Sequence, residues 1–162
     1  MIWALLAPGH SASQELAGSL RGYKLGVVCC AYQLAPWADF IAASDRAWWD
    51  KYQDARALTL CYSMLPTKGI ELARVPGFSI CNSGVLALDI ARQMGATEIH
   101  LYGFDMRGSH FFGDYKNGLT NADADKRKQH LREYRQWAAT NKNIKVINYT
   151  KGSAIDCFPM GV

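Results

Sequence analysis

Three short polar turns in this sequence combine glycine with hydroxyl, amide or carboxylate side chains: Pro8-Gly9-His10-Ser11, Cys81-Asn82-Ser83-Gly84 and Gly103-Phe104-Asp105. Glycine lets a ligand approach the backbone closely, and polar residues at a helix start present N–H groups that can receive an anion. Helix capping or a tight turn also explains each of them singly. Together, the three turns indicate a binding site.

Two carboxylates and one imidazole are the candidates for chemistry near these turns. Asp105 stands at the tip of the third turn, where it can accept from a ribose hydroxyl or hold a divalent cation. Asp45 follows an earlier apolar run, although capping of the next helix also accounts for it. His110 lies in the loop past the third turn and suits a general acid or base near neutral pH. Their spacing matches no recognisable ligand pattern, so we predict no metal.

The first turn departs from the two common phosphate-binding motifs. It is neither a complete G-x-G-x-x-G sequence nor a Walker loop, so it supports neither a standard dinucleotide fold nor a P-loop NTPase. His10 within this turn is a candidate contact for an anion. The remaining histidines, His100 in a strand pattern and His130 in a helix pattern, are predicted to be structural.

The turns fall between segments that alternate between strand and helix patterns. Strands are predicted over residues 2–6, 24–30, 38–43, 57–62, 98–102 and 144–148, and helices over 14–20, 46–52, 84–94 and 123–141. Residues 63–78 are predicted to be loop, and 153–158 a short closing helical turn. This alternation predicts the α/β class, as a Rossmann-like three-layer sandwich with a mostly parallel sheet. Ligands bind such sheets beyond the carboxyl ends of the strands.

The composition limits the classes of protein that remain. A chain of 162 residues, 49% hydrophobic, suffices for one core and predicts a single domain over 1–162. The net charge of +4 comes from interleaved acids and bases, so nucleic-acid binding stays open without being favoured. No apolar run approaches the ~20 residues of a membrane span, so we expect a cytoplasmic protein. Five cysteines without a C-x-x-C pair are predicted to be reduced thiols, and self-association stays open.

Several segments together resemble a family of small phage and prophage proteins whose activity is uncharacterised. The resemblance covers nearly the whole chain. The segments that carry it are Gly-x-Ser at 9–11, residues 31–39, Asp45-Arg46-Ala47-Trp48-Trp49, Asn82-Ser83-Gly84, Gly103-Phe104-Asp105-Met106, His110-Phe111-Phe112-Gly113-Asp114 and 148–159.

More distantly, the layout is similar to bacterial sialyltransferases that use CMP-sialic acid, and to the family named after a hydroxymethylpterin pyrophosphokinase. Their three turns and their general base match these positions: Gly9 and Ser11, Ser83 and Gly84, Gly103 and Asp105, and His110. By this resemblance the first two turns hold the nucleotide and its phosphate. His10 and Cys30 stand where those families tend to carry a proline and a nucleotide-binding asparagine, and the long insertion that forms the sialyltransferase acceptor lid is absent.

The resemblance implies a phage-encoded protein that binds a nucleotide or nucleotide-sugar and needs no other cofactor. It further implies a glycosyltransferase-like transfer with His110 as base and Asp105 beside it. The implied nucleotide-binding set is Gly9, His10, Ser11, Cys30, Asp45, Asn82, Ser83, Gly84 and Gly103. Two alternatives stay open: a non-catalytic protein that sequesters a host nucleotide signal, and a nucleic-acid modification or binding protein that uses the basic residues in 126–135.

Overall fold

The apolar runs of the sequence form strands and the amphipathic runs form helices, as a computed structural model of residues 1–162 shows. The strands are β1 (Ile2–Leu6), β2 (Lys24–Val28), β3 (Phe40–Ala42), β4 (Leu60–Ser63), β5 (Glu71–Leu72), β6 (Glu98–Tyr102) and β7 (Lys145–Asn148). The helices are α1 (Gln14–Ser19), α2 (Arg46–Lys51), α3 (Ser83–Gln93) and α4 (Ala124–Thr140), with 3-10 turns at Cys29–Gln33 and Gln53–Ala57. The predicted α/β class is confirmed.

All seven strands belong to one parallel sheet in the order β5-β4-β3-β2-β1-β6-β7. The chain begins at the centre with β1, moves outward to β5, and then returns through α3 to β6 on the other side of β1. Successive connections therefore leave β1 and β6 in opposite directions. A crevice opens between such strands at their carboxyl ends, and this is the position at which open α/β sheets bind ligands.

Helices cover the sheet on both faces and complete three layers. On one face α3 and α4 pack against a core that contains Leu5, Phe40 and Trp137. On the other face α1, α2 and the turn at Cys29–Gln33 pack against a core that contains Leu6 and Trp49. Every residue from 84 to 91 in α3 is buried, and the one charged residue among them, Asp89, is paired with Arg92 and accepts from the Trp137 indole N–H. None of the helices has the length and apolar character needed to cross a membrane.

The helix starts follow the polar residues of the sequence. Asn82, Asp123 and Asp45 each cap the helix that follows, because a side-chain oxygen accepts from backbone N–H groups of the first turn. Asn82 Oδ1 accepts from the N–H groups of both Gly84 and Val85. These caps fix where α2, α3 and α4 begin, and two of them lie at the crevice.

Three strand boundaries and one helix differ from prediction, for local reasons. The predicted strand 24–30 ends at Val28, because Cys29 adopts a left-handed backbone with φ of 46°. The predicted strand 57–62 begins only at Leu60, because the Leu58 N–H bonds the Ala55 carbonyl in a turn. The predicted strand 38–43 shortens to Phe40–Ala42. Residues 153–158 form no helix, since the Ala154 N–H bonds the Asp105 carbonyl instead.

The predicted loop 63–78 contains a seventh strand, β5. Both of its residues, Glu71 and Leu72, are exposed at the edge of the sheet. An exposed two-residue strand carries no alternation of apolar and polar residues, so the sequence offered no signal for it.

Candidate functional site

A cavity of about 710 Å³ opens at the carboxyl edge of the sheet, above β1, β2 and β6. Its walls include the three polar turns, the start of α2, the loop 106–122 and one face of α4. It lies at the point where the strand order reverses. Cavities of this size bind small molecules in other proteins.

The first and third turns touch each other through their backbones. The Gly9 N–H donates to the Gly103 carbonyl at 3.0 Å. A Cβ at Gly9 would collide with that carbonyl and with the Asp105 carboxylate, so only glycine fits. Gly103 itself has a φ of 72°, a left-handed conformation that favours glycine. Both glycines line the cavity, and their contact fixes the edge of the crevice.

Asp105 lies beneath the first turn and not on the cavity wall. Its side chain is 2% exposed and accepts from the Ser11 hydroxyl at 2.7 Å and the Ser11 N–H at 3.3 Å. The His10 Nε2 atom lies 3.5 Å from the same carboxylate, and His10 Nδ1 bonds the Arg107 carbonyl. In this structure Asp105, Ser11 and His10 therefore join two turns, and none of them lines the cavity.

Replacing Ser11 with alanine tests this joining role. The change removes the hydroxyl that donates to a buried carboxylate, and a hydrogen bond to a charged group contributes about 1.5–3 kcal/mol. We expect the free energy of unfolding to fall by that amount in denaturant titration. Ser19→Ala is the matched control, because its exposed hydroxyl bonds only the Leu16 carbonyl in α1. Equal, small losses in the two variants would show that Asp105 does not depend on Ser11.

The second turn lines the cavity but its hydrogen-bonding groups are largely satisfied. Asn82 caps α3, and its own backbone N–H and side-chain amide donate to Glu133 Oε1 at 2.9 and 3.0 Å. The Ser83 hydroxyl accepts from the Ser44 N–H at 2.9 Å. Gly84 lies so close to Tyr134 that a Cβ would collide with the tyrosine hydroxyl. This turn is thus rigid, and a carboxylate stands beside it.

His110 lies on the wall of the cavity and is fixed by backbone contacts. The loop is held against the first turn because the Phe111 N–H donates to the Pro8 carbonyl at 3.1 Å. His110 Nδ1 lies 3.1 Å from the Gly113 carbonyl, and since a carbonyl only accepts, Nδ1 carries the hydrogen. Burial lowers the pKa of His110. The imidazole is therefore neutral at pH 7, with the lone pair of Nε2 free.

Asp45 and Cys30 have roles that limit their contact with a ligand. Asp45 lines the cavity, but its carboxylate accepts from the Trp48 N–H at 2.8 Å as the cap of α2. Cys30 is 1% exposed and does not reach the wall, and burial raises the pKa of its thiol. Its neighbour Cys29 lines the cavity instead, because the left-handed backbone at Cys29 turns the chain there.

Among the wall residues that were not in the predicted site are Arg107, Arg127, His130 and Tyr134. The last three are spaced i, i+3 and i+7 in α4, and this spacing places them on one face of the helix. The sequence carries that spacing, but a helix pattern alone does not show which of its polar residues face a cavity and which face solvent. Arg107 lies in a loop without periodicity, so no sequence pattern marked it.

Comparison with protein-family models, with curated proteins and with solved structures finds no match for this chain. The α/β class of this protein is therefore assigned from its structure alone. The fold is an α/β sandwich with an all-parallel, Rossmann-like sheet, and a cavity of about 710 Å³ lies at its carboxyl edge.

Proposed function

We propose that this protein binds a nucleotide or nucleotide-sugar in the cavity and transfers a group from it to an acceptor hydroxyl, as a glycosyltransferase-like enzyme of phage origin. The observation that carries this proposal is that His110, with Nε2 free, lies on the wall of one cavity with Arg107 and Arg127, whereas the third arginine of the wall, Arg46, pairs with Asp50. An imidazole of this kind accepts protons, and guanidinium groups bind phosphate.

The proposed step moves one proton and exchanges one bond. His110 Nε2 accepts the proton of the acceptor hydroxyl while the hydroxyl oxygen attacks the sugar carbon that bears the nucleotide. A bond forms between that oxygen and the carbon, and the bond from the carbon to the phosphate oxygen breaks. The phosphate keeps the electron pair and leaves with the nucleotide, where Arg107 and Arg127 stabilise its negative charge.

Part of the cavity wall is aromatic. Trp48 and Tyr115 line the cavity, and Trp48 stacks on Tyr52 with ring centroids 4.9 Å apart. The Trp48 indole N–H is buried and makes no hydrogen bond within the protein. Aromatic faces of this kind stack on nucleobases and contribute about 1–3 kcal/mol per base in other proteins.

One observation favours a second candidate, a protein that binds the nucleotide without turning it over. The Nδ1 of His110 bonds a backbone carbonyl and not a carboxylate, and Asp105 lies off the wall. A carboxylate bonded to that nitrogen stabilises the imidazolium that a general base becomes, and His110 makes no such bond. Long incubation distinguishes the two candidates, because the binding protein leaves its nucleotide-sugar intact.

Thermal unfolding with a panel of ligands tests the proposal. The panel contains the four ribonucleoside 5′-monophosphates and their nucleotide-sugars, with the free nucleosides and inorganic phosphate as controls. A ligand at a hundredfold excess over its Kd stabilises the folded state by about 2.7 kcal/mol, which for a chain of this size raises Tm by about 5–10 °C. Stabilisation by no member of the panel would overturn the proposal.

A further inference from the structure

The charges on the cavity wall indicate the orientation of the nucleotide that the proposed function places there. We infer that the phosphate lies at the exposed end, against Arg107 and Arg127, and that a neutral polar group of the nucleoside, a hydroxyl or an amide, lies at the buried end, against Tyr134. This inference rests on the proposed function. It also reverses the expectation that the second turn holds the phosphate.

One face of α4 runs along the cavity from a cation to a hydroxyl. Arg127, His130 and Tyr134 all line the cavity. At 1.5 Å per residue, Arg127 and Tyr134 are about 10 Å apart along the helix axis. That separation exceeds the size of one phosphate group, so the two side chains contact different parts of a ligand. His130 stands between them and makes no hydrogen bond within the protein; burial lowers its pKa.

The exposed end of this face is cationic. Arg127 donates to the Gly108 carbonyl, which brings its guanidinium to the loop that carries Arg107. Neither arginine forms an ion pair, and the Arg107 side chain makes no hydrogen bond. Two carboxylates also lie on the wall, and neither forms an ion pair with these arginines. Asp45 caps α2, and Asp114 pairs with no cation. The two guanidinium groups thus remain free for an anion.

The buried end is neutral and disfavours a phosphate. Tyr134 is 2% exposed, and its hydroxyl lies on the wall against Gly84 without any hydrogen bond in the protein. The N–H groups of Gly84 and Val85 are already bonded by Asn82 Oδ1. The Glu133 carboxylate accepts from the Asn82 N–H at 2.9 Å, so a negative charge stands at this helix start. A phosphate there would be repelled, whereas a neutral hydroxyl or amide can accept from Tyr134.

A comparison of ligands with and without phosphate tests this orientation. The probes are the ribonucleoside monophosphate that stabilises the protein most and its free nucleoside, with dissociation constants measured by ligand-observed NMR. Arg127→Ala should weaken the monophosphate about tenfold to hundredfold and leave the nucleoside nearly unchanged, because a charge-assisted bond is lost. Tyr134→Phe should weaken both probes equally, by about threefold to tenfold, because a neutral hydrogen bond is lost.

Matched controls keep the result specific. Arg132→Ala removes the same charge from an exposed position of α4 off the cavity, and Tyr23→Phe removes an exposed hydroxyl that makes no hydrogen bond; both should bind like the parent protein. Arg127→Lys keeps the charge and should lose less affinity for the monophosphate than Arg127→Ala. If Tyr134→Phe weakens only the monophosphate, or Arg127→Ala weakens both probes alike, the orientation is wrong. If neither a monophosphate nor a nucleotide-sugar binds the parent protein, the proposed function itself fails.

Discussion

Replacing His110 with alanine is expected to lower turnover about 10²- to 10⁴-fold, the usual contribution of a general base, while nucleotide affinity stays within a small factor of the parent value. The reason is geometric. His110 places an imidazole on the cavity wall, whereas Arg127 and Tyr134, which are proposed to bind the nucleotide, lie on α4. The measurement is release of free nucleotide from a bound nucleotide-sugar, together with the dissociation constant of each protein.

The pH dependence of the same reaction provides the control for His110. Burial lowers its pKa below the ordinary value of 6.5, while Asp114 and the Gly113 carbonyl act in the opposite direction and Arg127 lowers it further. The base form is therefore present at neutral pH, and turnover should fall only when the pH drops through this lowered pKa. This acid limb should disappear from the residual rate of His110→Ala. Unchanged turnover in that variant would remove His110 from the mechanism.

Replacing Gly9 with alanine should damage both the fold and the site. The added Cβ collides with the Gly103 carbonyl and the Asp105 carboxylate, so the first and third turns must separate. Forcing extra atoms into a well-packed position costs about 1–3 kcal/mol of unfolding free energy. Ligand affinity should fall as well, because both turns form the cavity wall. Denaturant unfolding and ligand titration measure the two effects.

Gly18 supplies the matched control for Gly9. It lies exposed within α1, and a Cβ there meets nothing within 4 Å. Alanine favours a helix over glycine by up to about 1 kcal/mol, so Gly18→Ala should leave stability unchanged or raise it. A loss in Gly9→Ala no greater than in this control would mean that the two turns tolerate separation.

Much of the fold was predictable because its signals are local. Local patterns of a few residues each predict three of its features. These are the buried strand Ile2–Leu6, the helix cap at Asn82 and the end of that helix before Gly95. The strand β5 and the early end of β2 at Cys29 were not predictable. The strand β5 depends on pairing at the sheet edge. The end of β2 depends on a left-handed backbone at Cys29, and a cysteine does not indicate that conformation as a glycine would.

The position of the candidate site was more predictable from the sequence than the set of residues that line it. Seven of the predicted residues line the cavity: Gly9, Asp45, Asn82, Ser83, Gly84, Gly103 and His110. Four do not: His10, Ser11, Cys30 and Asp105. Strand ends mark where a cavity opens, yet the direction of each side chain depends on partners far along the chain. Asp105 illustrates this. Its carboxylate accepts from Ser11, 94 residues away, and therefore lies under the first turn.

Amide chemical shifts of ¹⁵N-labelled protein titrated with the monophosphate that stabilises it most test the central claim most directly. Ligand in the cavity should shift the amides of Gly84, Gly108 and His110 at the carboxyl edge. Gly22 and Gly95 precede β2 and β6 at the opposite edge, and their amides should stay in place. Shifts centred on Gly22 and Gly95, or no shifts at millimolar nucleotide, would contradict a nucleotide site above β1 and β6.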